Sequence, residues 1–322
     1  MKPAAPPSRT SPSLVSVVMP CFNAGRHLPE AVDSVFGQTH PDLELVVVDD
    51  GSDDGSAAWL DEAALSHPGR MRVLHGRRQG PYPARNLGLR EIGGAYVAFL
   101  DADDWWSRDA IEKLLAALRA NDADAAYCGW QNVGPGVHSA PHVPPAYERE
   151  DPVAHFVRGC PWPIHAALVR REIVELLGGF SEHRFASMDY DFWLRLLGLT
   201  RRIVRVPEVL AYYRWHGNAQ VSAVKWRQVL DALEAQRRFI SSHPDLVSHL
   251  SREQLRDLTE GQVRRQAYRA FWSRDFVSAQ KLFRHVAAHG EFGRKDLSHV
   301  AAALLPLPLY RGLTRLVGRD PS

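Results

Sequence analysis

The sequence predicts an α/β fold: a Rossmann-like, mostly parallel central sheet flanked by helices, with a helical C-terminal region. Three observations predict it. Four short runs rich in β-branched or apolar residues, at 16–20, 43–48, 71–75 and 95–100, alternate with stretches of helical spacing. Apolar runs of this kind read as strands covered on both faces, as in parallel sheets. The alternation ends near residue 124, and helical spacing dominates from residue 225 onward.

The elements follow in order. SVVMP (16–20) is the first strand, and Leu28, Ala31, Val32 and Val35 recur at helical spacing within 27–38. LELVVV (43–48) is the second strand and runs into DDGSDDGS. A helix is expected over 56–65 with Ser56 as its N-cap. The third strand is 71–75. The loop GRRQGPYP then leads to a helix over about 84–92, and AYVAFL (95–100) is the fourth strand. Beyond it, 125–130 reads as a strand, 133–147 as a loop and 166–169 as a short apolar piece. An amphipathic helix is expected over 190–199, with strands at 203–206 and 210–213. The helical remainder has a polar break at 241–244 and no internal repeat is found.

At 45% apolar and 24% charged, the 322 residues have an ordinary globular composition. A net charge of +2 gives no whole-chain signal for nucleic acid, and no nucleic-acid partner is expected. Cys21, Cys128 and Cys160 are odd in number, widely spaced and free of any zinc or CxxC pattern, which fits a reducing, cytoplasmic setting. MKPAAPPSRTSPS lacks an apolar core and reads as a disordered leader over 1–13 rather than a signal peptide. No run approaches the ~20 apolar residues of a spanning helix.

Ligands of open α/β sheets bind beyond the C-terminal strand ends. Three polar clusters fall there: Pro20-Cys21-Phe22-Asn23, Asp49-Asp50-Gly51-Ser52 and Asp101-Ala102-Asp103-Asp104. They are far apart in sequence and should meet on one rim. The last one crowds like charges, which is costly unless a divalent metal, a helix N-terminus or a polar ligand stands opposite. Capping by Asp104 or Ser107 would use one side chain. A hard divalent cation takes one or two carboxylates plus substrate phosphates. The D-x-D spacing sets Asp101 and Asp103 on the same side of an extended segment.

The other candidates keep two readings each. Asp49 to Ser52 is either a plain turn or a place where Asp50 accepts hydrogen bonds from a nucleotide base or ribose. Arg85 and Asn86 start a helix, either solvated or in contact with phosphate or Asp103. Asp191 suits a helix N-terminus, whereas Asp189, just before the helix, could be a general base if its pKa is raised. His216 is structural, exposed, or a metal ligand beside Asp103. Trp105, Trp106, Trp162, Trp193 and Trp215 are core, cleft wall, or stacking platforms for a sugar or base.

SVVMPCFNAGRHLPEAVDSVFGQTHPDLELVVVDDGSDDGS, ARNLGLREIGGAYVAFLDADDWW and MDYDFWLRL, in that order from about residue 15 to 216, resemble the family 2 glycosyltransferases of GT-A fold. The resemblance implies a nucleotide-sugar donor on the sheet rim, by family habit a UDP-sugar. Asp50 would face the base, Arg85 the pyrophosphate or the metal-site carboxylates, and Asp101 the ribose. Asp103 would hold Mn²⁺ or Mg²⁺ against the diphosphate, with His216 as a further ligand. Pro20, Asn23, Asp49 and Asn86 complete the expected donor-binding set. Asp189 matches the catalytic base of an inverting transfer. The family usually carries Glu-Asp there, and this chain has Met188-Asp189. The QxxRW motif and membrane spans of processive synthases are not found, so a single addition is expected.

On this reading residues 14–224 are the transferase domain, with a nucleotide-sugar half (14–106) and an acceptor half (107–224), and 225–322 are a helical region. The implied role is cell-surface glycan synthesis on a glycan or lipid-linked acceptor. HVAAALLPLPLYRGLTRLVGR (299–319) is then either a docked helix or an interfacial one giving peripheral membrane contact. Two rivals stand beside it: a catalytically degenerate nucleotide-sugar-binding or interaction protein, hinted at by Met188, and a metal-dependent nucleotidyltransferase. The latter would need a glycine-rich basic loop after the first strand, where PCFNAGRH has one glycine.

Overall fold

The structure, a computed structural model, describes residues 11–137, 140–181, 187–215 and 225–317. Its strands are β1 (Val15–Cys21), β2 (Leu43–Asp49), β3 (Met71–His75), β4 (Tyr96–Phe99), β5 (Trp105–Trp106), β6 (Ala125–Val133), β7 (Ala167–Arg170) and β8 (Ile203–Arg214). They form one sheet in the order β3-β2-β1-β4-β7-β6-β8-β5. The first four expected strands are parallel neighbours, with β1 between β2 and β4 and β3 outside β2. The other half is mixed: β7 runs antiparallel to β4 and β6, β8 parallel to β6, and β5 antiparallel to β8. All seven residues of β1 are buried, as a strand covered on both faces requires.

The helices of the first part are α1 (Leu28–Phe36), α2 (Ser56–Ser66), α3 (Pro81–Leu89), α4 (Ala110–Ala120), α5 (Pro152–Arg158), α6 (Arg171–Leu177) and α7 (Met188–Leu199). Helix α1 buries the predicted stripe Leu28, Ala31, Val32 and Val35. Ser56 is not the cap of α2. Gly55, at φ 94°, precedes the helix, and Ser56 Oγ instead accepts from the Gly25 N–H at 3.1 Å. Helix α3 starts earlier than expected, at Pro81, whose fixed φ and missing N–H suit a first turn.

Two further expectations change. Asp104 does not cap a helix near Ser107, because α4 begins at Ala110 after a two-residue strand that pairs Trp105 with Tyr212 and Trp106 with Ala211. The two strands expected at 203–206 and 210–213 are one strand, β8, with register shifts on either side of Gly129 in β6. Residues 1–10 of the expected leader lie outside the described residues. Its end is held, with Ser13 Oγ donating to Asp42 Oδ2 at 2.7 Å.

The C-terminal helices are α8 (Lys225–Ser242), α9 (Pro244–Val247), α10 (Arg252–Leu258), α11 (Glu260–Trp272), α12 (Phe276–Ala288), α13 (Leu297–Leu304) and α14 (Leu307–Val317). One hydrophobic cluster surrounds the sheet. A second lies within these helices, built on Leu233, Val263, Phe271, Leu282 and Phe283. Val300, Ala303 and Tyr310 dock into the second cluster, while Leu304 and Leu309 stay exposed. Among the described residues no helix is long and apolar enough to cross a membrane.

Candidate active site

A cavity of about 740 Å³ lies at the C-terminal ends of β1, β2 and β4, where the three polar clusters meet. Pro20, Asn23, Asp50, Arg85, Asp101, Asp103 and Asp189 all line it. The loops after β1 and β2 are laced together: Asn23 Nδ2 donates to Asp53 Oδ1 at 2.8 Å, and Asn23 Oδ1 accepts the Asp53 N–H at 2.9 Å. Asp50 Oδ1 accepts the Gln79 N–H at 2.8 Å and Asp50 Oδ2 the Gly80 N–H at 2.6 Å. Asp50 therefore shapes the loop over the cavity while one edge of it faces the open space.

Two expected donor-site residues are not brought to the cavity. Asp49 is buried behind it, accepting the Ser52 N–H at 3.2 Å with His75 Nδ1 3.6 Å away. Asn86 clasps the Phe180 main chain, donating to its oxygen at 2.9 Å and accepting its N–H at 2.8 Å. His216 lies outside the described residues.

Arg85 is not a solvated helix-start residue. It sits within α3 with its side chain 2% exposed. Its Nη2 donates to Asp101 Oδ1, and its Nη1 reaches Asp189 Oδ1 at 3.3 Å. Its acidic partners are thus Asp101 and Asp189, not Asp103. Burial works against its charge, but the two carboxylates prevail and hold its pKa above the usual range.

Asp189 stands in the first turn of α7 rather than before it. Its side chain is 30% exposed at the cavity wall. Burial pushes its pKa up to about 6; Arg85 pulls it down and Asp101 pushes it up. Asp191, two positions on, is buried and takes Arg195 Nε at 2.8 Å. Arg195 in turn donates to the Leu177 and Gly179 carbonyls, pinning α7 to the end of α6.

The crowded carboxylates after β4 divide three ways. Asp101 pairs with Arg85, Asp103 lines the cavity, and Asp104 turns inward. Asp104 Oδ1 accepts the Arg214 N–H at 2.7 Å and Asp104 Oδ2 lies 3.2 Å from His165 Nδ1. Burial, then the charges of Asp103 and Asp101, push the Asp104 pKa well above the carboxylate range. Burial holds His165 down at about 4, so its ring is neutral. Arg214 Nε also donates to the Asp103 carbonyl at 2.9 Å, tying the end of β8 to this loop.

Sequence reasoning missed Tyr82, Arg78 and His165 in the cavity lining. Arg78 lies 4.6 Å over the Phe22 ring, closing one side. Tyr82 sat in a loop-like PYP stretch, and only the proline at N1 hinted that this was a helix start. None of the five singled-out tryptophans lines this cavity; Trp106, Trp162 and Trp193 are core.

A divalent cation fits this rim with a diphosphate completing its ligand set. Among the described residues no group of three His, Cys, Asp or Glu side chains could hold a metal by itself. One carboxylate is enough when a diphosphate supplies the other oxygens, and Asp103 faces the cavity beside the excess negative charge that Asp104 feels.

The family model described as Glycosyl transferase family 2 matches residues 16–177. The putative teichuronic acid biosynthesis glycosyltransferase TuaG of Bacillus subtilis is 30% identical over 218 residues, covering 66% of this chain and 83% of its own length. The uncharacterized glycosyltransferase EpsJ of Bacillus subtilis is 28% identical over 231 residues, 68% of this chain and 65% of its own. S. aureus TarS 1-349, solved in complex with UDP-GlcNAc, superimposes with a TM-score of 0.57 at 16% identity and 90% coverage of both chains. The mannosyltransferase PcManGT from Pyrobaculum calidifontis, in complex with GDP-Man and Mn²⁺, gives 0.55 at 21% identity, covering 94% of this chain and 83% of its own. At these identities the two structures speak for the fold.

Proposed function

The chain belongs to glycosyl transferase family 2 and has the GT-A fold; from that premise we propose an inverting transfer of one sugar from a nucleotide-sugar donor to an acceptor hydroxyl. The observation that carries this reading is Asp189: a carboxylate in the cavity wall, raised to about 6 and linked through Arg85 to the D-x-D loop. A base near this pKa is mostly ionised at neutral pH yet still accepts a proton.

In this mechanism the donor lies in the cavity at the strand ends, its base toward Asp50 and its ribose toward Asp101. Asp189 takes the proton of the acceptor hydroxyl. The hydroxyl oxygen attacks the anomeric carbon from the face opposite the nucleotide, the bond to the diphosphate oxygen breaks with its electron pair, and configuration inverts. Arg85 keeps Asp189 ionised and aimed. Mn²⁺ or Mg²⁺, held by Asp103 and with His216 as a candidate second ligand, would supply positive charge for the leaving diphosphate.

The teichuronic acid label of TuaG supports a cell-surface glycan role, and the UDP-GlcNAc complex of TarS supports a UDP-sugar as the first donor to test. Residues 14–224 would be the transferase domain and 225–322 its helical extension. Exposed Leu304 and Leu309 favour peripheral contact with a cytoplasmic membrane face that presents lipid-linked acceptors.

The degenerate-binder alternative rests on Met188, which is 3% exposed and packed inward. Calorimetric titration of UDP, GDP and dTDP, with Mn²⁺, with EDTA, and into Asp103→Ala protein tests the donor site. Metal-dependent binding of one nucleotide, lost in Asp103→Ala, is expected. No binding of any nucleotide by folded protein would remove the transferase reading.

A further inference from the structure

A second cavity, of about 350 Å³, adjoins the first, and Tyr82, Asp189 and Gln228 line both. Its outer wall comes from α8 and α11, beyond residue 177 where the family match ends. We propose that this cavity seats an anionic glycan acceptor, with a sugar unit held by Gln228, Gln262 and Gln266 and an adjoining carboxylate or phosphate paired with Arg158. The inference rests on the reading of Asp189 as the base, because that residue marks where the reacting hydroxyl must lie.

The chemistry of the lining supports this occupant. A glutamine amide both donates and accepts, which matches sugar hydroxyls and leaves the charge balance of the wall unchanged. Gln228 has no hydrogen bond from its side chain among the described residues. Gln262 Oε1 accepts from Arg265 Nε at 3.2 Å and Gln266 Oε1 from Arg269 Nη1 at 3.5 Å, so each amide is held by its oxygen and keeps its NH₂ for a ligand. Gln236, by contrast, is committed to the architecture, donating to the buried Val157 carbonyl at 2.7 Å.

Charge supplies the second half. Asp189 is the one acidic residue in this lining, and it shares the Arg85 guanidinium with Asp101. Arg158, the last residue of α5, is exposed, and its side chain makes no hydrogen bond or ion pair among the described residues. Asp257, the acid whose pKa it influences, is held by Arg265, with Nη1 to Oδ1 at 2.7 Å and Nη2 to the Asp257 carbonyl at 2.6 Å. The cavity therefore carries an uncommitted guanidinium, whose planar fork matches carboxylate and phosphate alike. An uncharged acceptor would leave that guanidinium to solvent and to the field of Asp257.

The test uses the full chain with Mn²⁺ and the nucleotide that it binds. Cellobiose, a glucuronyl-glucose disaccharide and a phosphorylated cellobiose are titrated by calorimetry or saturation-transfer NMR. The expected result is at least tenfold tighter binding of one anionic disaccharide than of cellobiose, the stronger of the two identifying the anion. Arg158→Gln should remove that advantage, and Gln262→Ala with Gln266→Ala should weaken charged and neutral ligands together. Nucleotide affinity and melting temperature serve as folding controls, since Arg158 is exposed. Equal or absent binding of all three disaccharides beside intact nucleotide binding overturns this inference alone, as does an anionic advantage that survives Arg158→Gln. Loss of nucleotide binding in the unmodified chain overturns the transferase reading along with it.

Discussion

Asp189 is under opposed influences, and their balance sets a pH dependence. Burial favours the neutral acid, whereas Arg85 at 3.3 Å favours the carboxylate, leaving a pKa of about 6. Because a base acts ionised, kcat/KM should rise with pH through about 6 and level off above it. Arg85→Met removes the stabilising cation, so this limb should move to higher pH in a pH–rate profile; an unmoved limb would separate Arg85 from the base. Stability carries the opposite sign. The folded pKa lies above that of a free aspartate, so the fold disfavours the charged form. Asp189→Asn should therefore raise the melting temperature at pH 8, with the gain vanishing below pH 4, where both states are protonated. Rim position made Asp50, Asp101 and Asp103 legible from sequence, and the place beside a helix start together with the family resemblance marked Asp189. Asp49 was over-read because neighbouring strand residues face opposite sides, so Asp49 and Asp50 do not both reach the cavity. Asn86 was over-read for a similar reason, since one helical step past Arg85 turns it to Phe180. The approach of His165 to Asp104 joins segments with no local pattern in common and could not be read.

Helix α3 is the element that places Arg85, and Gly88 sets how closely it sits on the sheet. A Cβ on Gly88 would come within 2.7 Å of Val18 Cγ1 and 3.3 Å of Val48 Cγ2. Gly88→Val should therefore lift α3 off β1 and β2, costing about 1–3 kcal/mol by overpacking. Denaturant titration reads that cost, and a matching fall in kcat would show that the helix transmits it to Arg85. The parallel half of the sheet was legible because its strands are apolar runs separated by helical spacing. The antiparallel β7 was not, since four residues carry no directional signal. Nor was the continuity of β8, whose Pro207-Glu208 step reads as a break and is absorbed by the register shifts beside Gly129.

At the scale of the molecule, the two hydrophobic clusters share α8: Leu233 belongs to the helical one, and Ala235 and Phe239 to the one around the sheet. A helix that contributes to both couples them, so chemical denaturation should show one transition by fluorescence and by circular dichroism alike. Two separated transitions would mean that the helical region folds independently. That coupling also makes the cavity between α7, α8 and α11 a lasting feature of the fold, with Asp189 at its junction with the larger one. The proposed transfer turns on Asp189 as its base. The most direct measurement is turnover of the donor by Asp189→Asn protein alongside its nucleotide affinity. A fall in kcat of about 10²–10⁴-fold, the usual worth of a general base, is expected, with nucleotide affinity unchanged. Turnover within a few fold of the unmodified chain would contradict it.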